Sequence, residues 1–178
     1  MNLSALKSPP FRSYVVSLHL ALNGFWAQRV IIGWLAWEMT GSAGFVGLVA
    51  FLNFFPTLFV SPLFGVFADR IDVRKGSILS YALAGILSAL FAGLCIFGSP
   101  TPVLLALFSF VTGVISSANH PMRMSLTPRL APAGDLPSVV AITSLNFNMS
   151  RLTGPAIGGI LIQMIGAPLA FAVTAVTY

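Results

Sequence analysis

The chain has 178 residues, of which 57% are hydrophobic and only 7% are charged. A soluble domain carries about a quarter charged residues, so this composition excludes an ordinary globular protein and indicates a protein solvated by lipid. The net charge of +5 does not indicate a nucleic-acid partner, because the sequence has no Lys/Arg-rich helix or stripe.

Long apolar runs predict membrane helices, since roughly 20 apolar residues are needed to cross the hydrocarbon. In chain order we expect five spans, at about 13–39, 45–67, 78–97, 102–118 and 138–165. A sixth run, at 168–178, is too short to cross. We therefore expect an all-α membrane protein that is a fragment cut within its sixth helix. A re-entrant or interfacial sixth segment is the alternative.

The connections between the runs alternate in composition. Connections 40–44, 98–102 and 166–168 are short, uncharged and rich in Gly, Ser, Thr and Pro, which predicts tight turns. The other polar gaps contain most of the basic residues, namely Lys7, Arg12, Arg70, Arg74, Lys75, Arg123 and Arg129. Lys and Arg accumulate on the cytoplasmic side of membrane helices. The pattern therefore predicts a multi-pass protein of the plasma membrane, the inner membrane in a bacterium, with a cytoplasmic N-terminus.

The longest connection, 119–137, contains Pro121, Arg123 and three further prolines. Because proline disrupts helix hydrogen bonding, we expect a loop on the inside here rather than one helix. This loop divides the spans into two groups of three. An inverted repeat produces a three-plus-three topology of this kind.

Polar side chains inside the predicted helices are candidates for lining a transport cavity. Insertion of a charge at membrane depth costs at least about 2.5–3.5 kcal/mol, so Arg29 and Arg151 should face a water-filled cavity or a partner. For the uncharged members, structural hydrogen bonding and packing are the alternative. The candidates are His19, Asn23, Trp26 and Arg29 on the first helix, and Ser144, Asn148 and Arg151 on the fifth.

Carboxylates are absent from the centres of the predicted helices. Glu38 lies near the outer end of the first helix, and Asp69, Asp72 and Asp135 lie in inside connections. If transport is coupled to protons, the carrier is therefore in a missing half of the protein, or it is Glu38 or His19. The sequence contains no phosphate-binding glycine loop and no plausible catalytic or metal-ligating set. We expect no enzyme activity, no cofactor and no metal.

The fifth predicted helix contains a cluster of helix-modifying residues, Gly154, Pro155, Gly158 and Gly159. Pro155 removes one helix hydrogen bond, which predicts a kink, and the glycines allow another helix to approach closely. Ordinary membrane-helix packing is the alternative interpretation.

The connection between the second and third spans contains a glycine and, four residues later, an aspartate that is followed by basic residues. The glycine and the aspartate, Gly65 and Asp69, share one helix face. This segment resembles the cytoplasmic signature of the major facilitator superfamily. The resemblance implies a conformational latch between two halves of a transporter. The sequence departs from the family at Asp72, where glycine is usual, and at Val73, where a second basic residue is usual. The residues of this segment are Gly65, Asp69, Arg70, Asp72, Arg74 and Lys75.

Segments 26–35, 119–132 and 151–159 are also similar to one subgroup, the enterobactin exporters, macrolide efflux pumps and transmembrane secretion effectors. This resemblance implies the N-terminal six-helix half of an exporter whose C-terminal half is missing from the chain. The exporter would move a siderophore-like or drug-like molecule by alternating access, in exchange for protons. A half-size membrane module or scaffold that dimerises is the alternative, and a passive channel is a third option.

Overall fold

The computed structural model describes residues 4–68, 72–132 and 135–178. These residues form helices and no strand. A short 3₁₀ turn is followed by six α-helices, which we number in chain order. The turn is Ser4–Lys7, and the helices are α1 Pro9–Thr40, α2 Ala43–Phe54, α3 Thr57–Ala68, α4 Val73–Phe97, α5 Pro102–Arg129 and α6 Leu136–Val176.

Within the described residues, five helical stretches are long and apolar enough to cross a membrane. The stretches are Pro9–Thr40, Ala43–Gly65, Val73–Phe97, Pro102–Arg129 and Leu136–Val176. Many of their large apolar side chains are exposed, as expected when lipid replaces water as the solvent. Examples are Leu58, Leu90 and Leu152, which are 70%, 67% and 74% exposed. The structure thus agrees with an all-helical membrane protein.

Breaker residues end the helices where turns are predicted. Gly41 ends α1 with φ 60°, a conformation that favours glycine, and the side chain of Ser42 accepts a hydrogen bond from the Phe45 N–H at the start of α2. Inside α6, Gly166 has φ 77° and ψ 163°, which are not helical angles. The chain changes direction there, as the predicted connection at 166–168 requires. The first helix begins at Pro9 rather than at 13, because proline is well tolerated in the first turn.

The second predicted span is interrupted. α2 and α3 are separated at Phe55 and Pro56, within the range 45–67 that we expect to be one helix. Pro56 has no N–H to donate to the preceding turn, although its carbonyl accepts a hydrogen bond from the Val60 N–H at 2.7 Å. The two helices therefore form one bent membrane stretch.

Proline does not end α5, contrary to our expectation for 119–137. The helix continues through Pro121 to Arg129, so the connection to α6 is much shorter. Pro121 cannot donate to the Ser117 carbonyl one turn earlier, but the Ser61 hydroxyl of α3 donates to that carbonyl at 3.0 Å. A neighbouring hydroxyl that satisfies the freed carbonyl makes proline tolerable within a membrane helix.

Contacts between helices establish the topology. α1, α4 and the first part of α6 run parallel, and α2, α3 and α5 run in the opposite direction. Between α1 and α6, Val15 contacts Asn146 and Asn23 contacts Ser150. Between α2–α3 and α5, Asn53 contacts Thr112 and Thr57 contacts Ser117. The residue numbers rise together in both cases, so these helices run parallel. The end at which α1, α4 and α6 begin contains most of the basic residues, and we call it the basic end.

The main apolar core lies toward the opposite end of the bundle. Phe91 of α4 stacks on Phe108 of α5 with ring centroids 4.3 Å apart, and Phe171 of α6 contacts both rings edge-on. Phe171 follows the break at Gly166, so the last part of α6 turns back and packs antiparallel to α4. A smaller core at the basic end joins the 3₁₀ turn, α1 and α6 through Ala5, Phe11, Val139 and Ile142.

Candidate functional site

A cavity of about 220 Å³ opens between the helices, from the middle of α1 toward the basic end. Its walls are mainly apolar and aromatic, with a few polar groups at fixed positions, as in many small-molecule sites. All the long helices contribute to it. The polar and aromatic residues that line it include Phe25, Trp26, Arg29, Asn53, Phe54, Tyr81, Asn119, His120, Arg123 and Phe147.

Arg29 is the charged group nearest the middle of α1. One terminal nitrogen donates to the Asn53 side-chain oxygen at 2.9 Å. The guanidinium carbon lies 3.9 Å from the centre of the Phe54 ring, 4.6 Å from Phe25 and 5.0 Å from Trp26. A guanidinium over aromatic faces is attracted by the ring quadrupoles, so α1 and α2 hold this cation in place.

Asn53 is itself fixed by α5. Its amide nitrogen donates to the Ser109 carbonyl and to the Thr112 hydroxyl, both at 3.1 Å. The side-chain oxygen is therefore left to face Arg29. Gly113 is next to this contact, and a Cβ there would collide with the Asn53 backbone. α2 and α5 thus approach closely enough to orient Asn53.

Two further arginines lie close to aromatic rings. The guanidinium of Arg123 is 5.5 Å from the centre of the Phe147 ring, and that of Arg151 is 5.8 Å from Trp26. Trp26 and Phe147 pack edge to face at 5.9 Å. Arg123 lines the cavity, whereas Arg151 is exposed and is absent from its lining.

His19 and Asn23 belong to a different environment, the interface between α1 and α6. The Asn146 amide nitrogen donates to the Val15 carbonyl at 3.2 Å, so its oxygen accepts from His19 Nδ1 at 2.6 Å. Asn23 donates to the hydroxyl of the fully buried Ser150 at 3.2 Å. These groups form a network that joins the two helices, and neither His19 nor Asn23 is part of the cavity lining.

The same interface explains two of the four residues in the glycine-proline cluster. A Cβ on Gly154 would lie 2.5 Å from the Trp26 Cβ, and a Cβ on Gly158 would lie 2.7 Å from the Ala27 carbonyl oxygen. A Cβ on Gly159, by contrast, would meet no described atom within 4 Å. α6 is continuous through Pro155, and within the described part of this helix the non-helical angles occur at Gly166.

The other candidates on α6 lie on a different face. Ser144, Asn148 and Arg151 are exposed, and the Asn148 amide donates to the Ser144 carbonyl at 2.9 Å. The structure therefore separates these residues from His19 and Asn23.

The segment that resembles a latch is described in part. Asp69 and Arg70 lie outside the described residues. A Cβ on Gly65 would have no atom of the described chain within 4 Å, so that face of α3 is open. Asp72 caps α4 by accepting hydrogen bonds from the N–H groups of Arg74 at 3.0 Å and Lys75 at 3.2 Å. Asp72 therefore has a structural role at the helix start.

Several cavity residues were missed by our sequence reasoning. Asn53 lies in an apolar run, where it forms a polar stripe at four-residue spacing with Thr57 and Ser61, and such a stripe at membrane depth was a usable signal. Asn119 and Arg123 belong to the predicted inside loop, but α5 carries both into the bundle.

Within the described residues, no three His, Cys, Asp or Glu side chains are grouped so as to hold a metal ion.

Comparison with known proteins gives one family match. A family model described as transmembrane secretion effector matches residues 1–178. The chain is 26% identical over 165 residues to the staphyloferrin A transporter of Staphylococcus aureus, covering 91% of this chain and 41% of the relative. It is 31% identical over 173 residues to the enterobactin exporter EntS of Shigella boydii, covering 93% and 40%.

A third relative is the multidrug efflux pump Tap of Mycobacterium tuberculosis, 26% identical over 180 residues, with 97% of this chain and 42% of the pump covered. The chain thus spans about 40% of the length of these curated relatives. No solved structure matches it.

Proposed function

The chain belongs to the transmembrane secretion effector family of the major facilitator superfamily, whose members are membrane transporters rather than enzymes, and on this premise we propose that it is the N-terminal part of a small-molecule exporter. The match over the whole chain carries the proposal. The five membrane-length helical stretches and the cavity between them support it, because a transporter needs a substrate path inside a lipid-solvated bundle.

The proposed architecture is the six-helix N-terminal half of a major facilitator fold, with two groups of three helices related as an inverted repeat. Support comes from Gly166, whose non-helical angles separate the last segment from the rest of α6. A C-terminal half of the same transporter would complete the protein, and substrate would bind between the halves. The open face at Gly65 offers space for such a partner.

The proposed orientation has the basic end in the cytoplasm and the N-terminus inside, in the inner membrane of a bacterium. Support comes from the grouping of Lys7, Arg12, Arg74, Lys75 and Arg129 at one end of the bundle, because cytoplasmic segments of membrane proteins are enriched in Lys and Arg.

Siderophore-like or drug-like molecules are the proposed substrates, since relatives are named as a staphyloferrin A transporter, an enterobactin exporter and a multidrug efflux pump. Transport would proceed by alternating access in exchange for protons. His19 and Glu38 are the proton-carrier candidates within this chain. His19 lies on α1 and hydrogen-bonds to Asn146 of α6, so a change in its charge would act on the packing of these helices.

Two elements are proposed to control the conformational change. The segment with Gly65, Asp69, Arg70, Asp72, Arg74 and Lys75 would latch the two halves. Gly154, Pro155, Gly158 and Gly159 would give α6 a bend beside its contact with α1, where α6 could rock.

Reconstitution of the complete gene product in proteoliposomes tests the proposal. We expect efflux of a substrate dye to depend on a pH gradient and to fall when Asp69 is replaced by Asn. Flux that is independent of the gradient would indicate a channel and contradict exchange. The half-size module would instead be supported by a complete gene product that ends near residue 178, forms a dimer and shows no flux.

A further inference from the structure

Three residues that line the cavity have hydrogen-bond donors without an acceptor. Within the described part of the chain, Trp26 Nε1, Arg29 Nε and Asn119 Nδ2 are buried and unpartnered. All three residues line the cavity, and Asn119 is only 9% exposed. Buried polar groups are normally paired, because an unpaired one costs about 1–3 kcal/mol. These nitrogen atoms are themselves covered by protein, so a ligand with hydrogen-bond acceptors would relieve this cost only after the side chains turn toward the cavity.

The charged residues that line the cavity indicate the charge of that ligand. Arg29 and Arg123 both line it, while no Asp or Glu is found among its described lining residues. Arg29 is held by an amide oxygen and by aromatic rings, which attract a cation without neutralising it. A positive site at membrane depth, surrounded by apolar walls, strengthens the attraction for an anion.

The aromatic residues in the cavity walls indicate the shape and polarity of the rest of the ligand. Phe25, Trp26, Phe54 and Phe147 line the cavity around Arg29 and Arg123. Flat aromatic walls favour a flat apolar body through stacking and edge contacts. Small inorganic anions would leave these walls without contacts.

We propose that this cavity is a binding site for organic anions, in which Arg29 and Arg123 bind a carboxylate or phenolate group and the aromatic walls hold a flat apolar body. The proposal rests on the proposed transport function and names the substrate class of the same cavity. It assigns Arg29 to ligand binding and Asn53 to positioning the guanidinium.

The test compares two probes of the same shape and different charge, naphthalene-2-carboxylate and its neutral carboxamide. Binding of each radiolabelled probe to the purified, complete gene product in detergent is measured by equilibrium dialysis. We expect the carboxylate to bind about tenfold more tightly, as one charge-assisted hydrogen bond allows. We expect Arg29→Gln to reduce this preference to about twofold or less. Arg129→Gln is the matched control. Arg129 is an exposed residue of α5 outside the cavity, so its replacement removes an equal charge and should retain the preference.

Equal binding of the two probes by the unaltered protein would overturn the proposal. So would a preference that survives in both Arg29→Gln and Arg123→Gln, or one that falls equally in Arg129→Gln. The second cavity variant, Arg123→Gln, keeps the test valid if Arg29→Gln does not fold, because Arg123 is half-buried and does not anchor α2. If a carboxylate from another part of the protein already pairs with Arg29, the two probes will bind equally, and this result too overturns the proposal.

Transport assays with the same protein separate this proposal from the proposed function. Anion-selective binding without any flux would contradict the exporter and leave the anion site standing. Flux of cationic or neutral substrates with no carboxylate preference would overturn the anion site and leave the exporter standing.

Discussion

The helix α1 presents two polar regions that differ in how fully their hydrogen bonds are satisfied. His19 and Asn23 pair with Asn146, Ser150 and one another across the interface with α6. Within the two turns that follow Asn23, Trp26 and Arg29 have donors without acceptors beside a cavity. Polar residues on one membrane helix therefore serve two purposes. Satisfied groups join helices, and unsatisfied groups belong to residues that line a cavity.

The largest expected effect comes from disturbing the packing that supports the satisfied region. Gly158→Ala would place a Cβ 2.7 Å from the Ala27 carbonyl oxygen, so α1 and α6 would have to separate. We expect a loss of about 1–3 kcal/mol in stability, the usual cost of overpacking, and a lower midpoint of thermal unfolding in detergent. Gly159→Ala is the matched control, since a Cβ there would meet no described atom within 4 Å. Equal midpoints for the two variants would contradict the close packing.

Removing a partner from the network itself should have a smaller effect. Asn146→Ala leaves His19 Nδ1 without its 2.6 Å acceptor and frees the Val15 carbonyl. We expect a loss of about 1 kcal/mol, the scale of hydrogen bonds between membrane helices, measured as the shift of the unfolding midpoint. Asn148→Ala changes the same residue type on the exposed face of α6 and should leave the midpoint unchanged. If both variants unfold alike, the network does not hold α1 against α6.

A similar contrast between satisfied and unsatisfied groups exists at the helix starts. Asp72 accepts two backbone hydrogen bonds at the start of α4, whereas Asp135 caps α6 without a side-chain hydrogen bond. Asp72→Ala should therefore cost up to about 1 kcal/mol, and Asp135→Ala should stay within about 0.5 kcal/mol. Denaturant titration of both variants measures the difference. A larger loss for Asp135→Ala would reverse the assignment of the caps.

The smallest expected effect on stability is at Arg29, and it sharpens the comparison most. Arg29→Met loses its aromatic contacts and one hydrogen bond from a charged group, worth about 2–5 kcal/mol together. It also removes a charge whose burial costs about 2.5–3.5 kcal/mol. Because the two effects are similar in size and opposite in sign, we expect the unfolding midpoint to change little, while carboxylate preference is lost. A fall as large as that of Gly158→Ala would make Arg29 a structural residue like His19.

Much of the fold could be predicted from the sequence, because apolar length and breaker residues are local properties. The turns at Gly41 and Gly166 occur where the composition indicates them. The continuation of α5 through Pro121 could not be predicted locally, because the compensating hydroxyl of Ser61 lies 56 residues earlier in the chain. The break at Pro56 could not be predicted with certainty from composition, because proline is tolerated within many membrane helices without ending them.

The candidate site was predictable only in part. Arg29 and Trp26 were found because a charge and an indole at membrane depth are locally visible. The partner face of α6 was not found, because two polar stripes fit helical spacing equally well. One contains Ser144 and Asn148, and the other contains Asn146 and Ser150. Only the packing of α6 against α1 selects the second stripe as the buried one.

The distance along the chain between partners has a consequence for biosynthesis. The amide acceptor of Arg29 is Asn53, 24 residues downstream, whereas the acceptor of His19 is Asn146, 127 residues downstream. When only α1 of the nascent chain has entered the bilayer, the Arg29 guanidinium has neither its amide acceptor nor the Phe54 ring. Once α2 has been translated, the hairpin of the two helices supplies both the amide and the Phe54 ring. The α1 surface around His19 can pack against α6 only after the ribosome has synthesised Asn146.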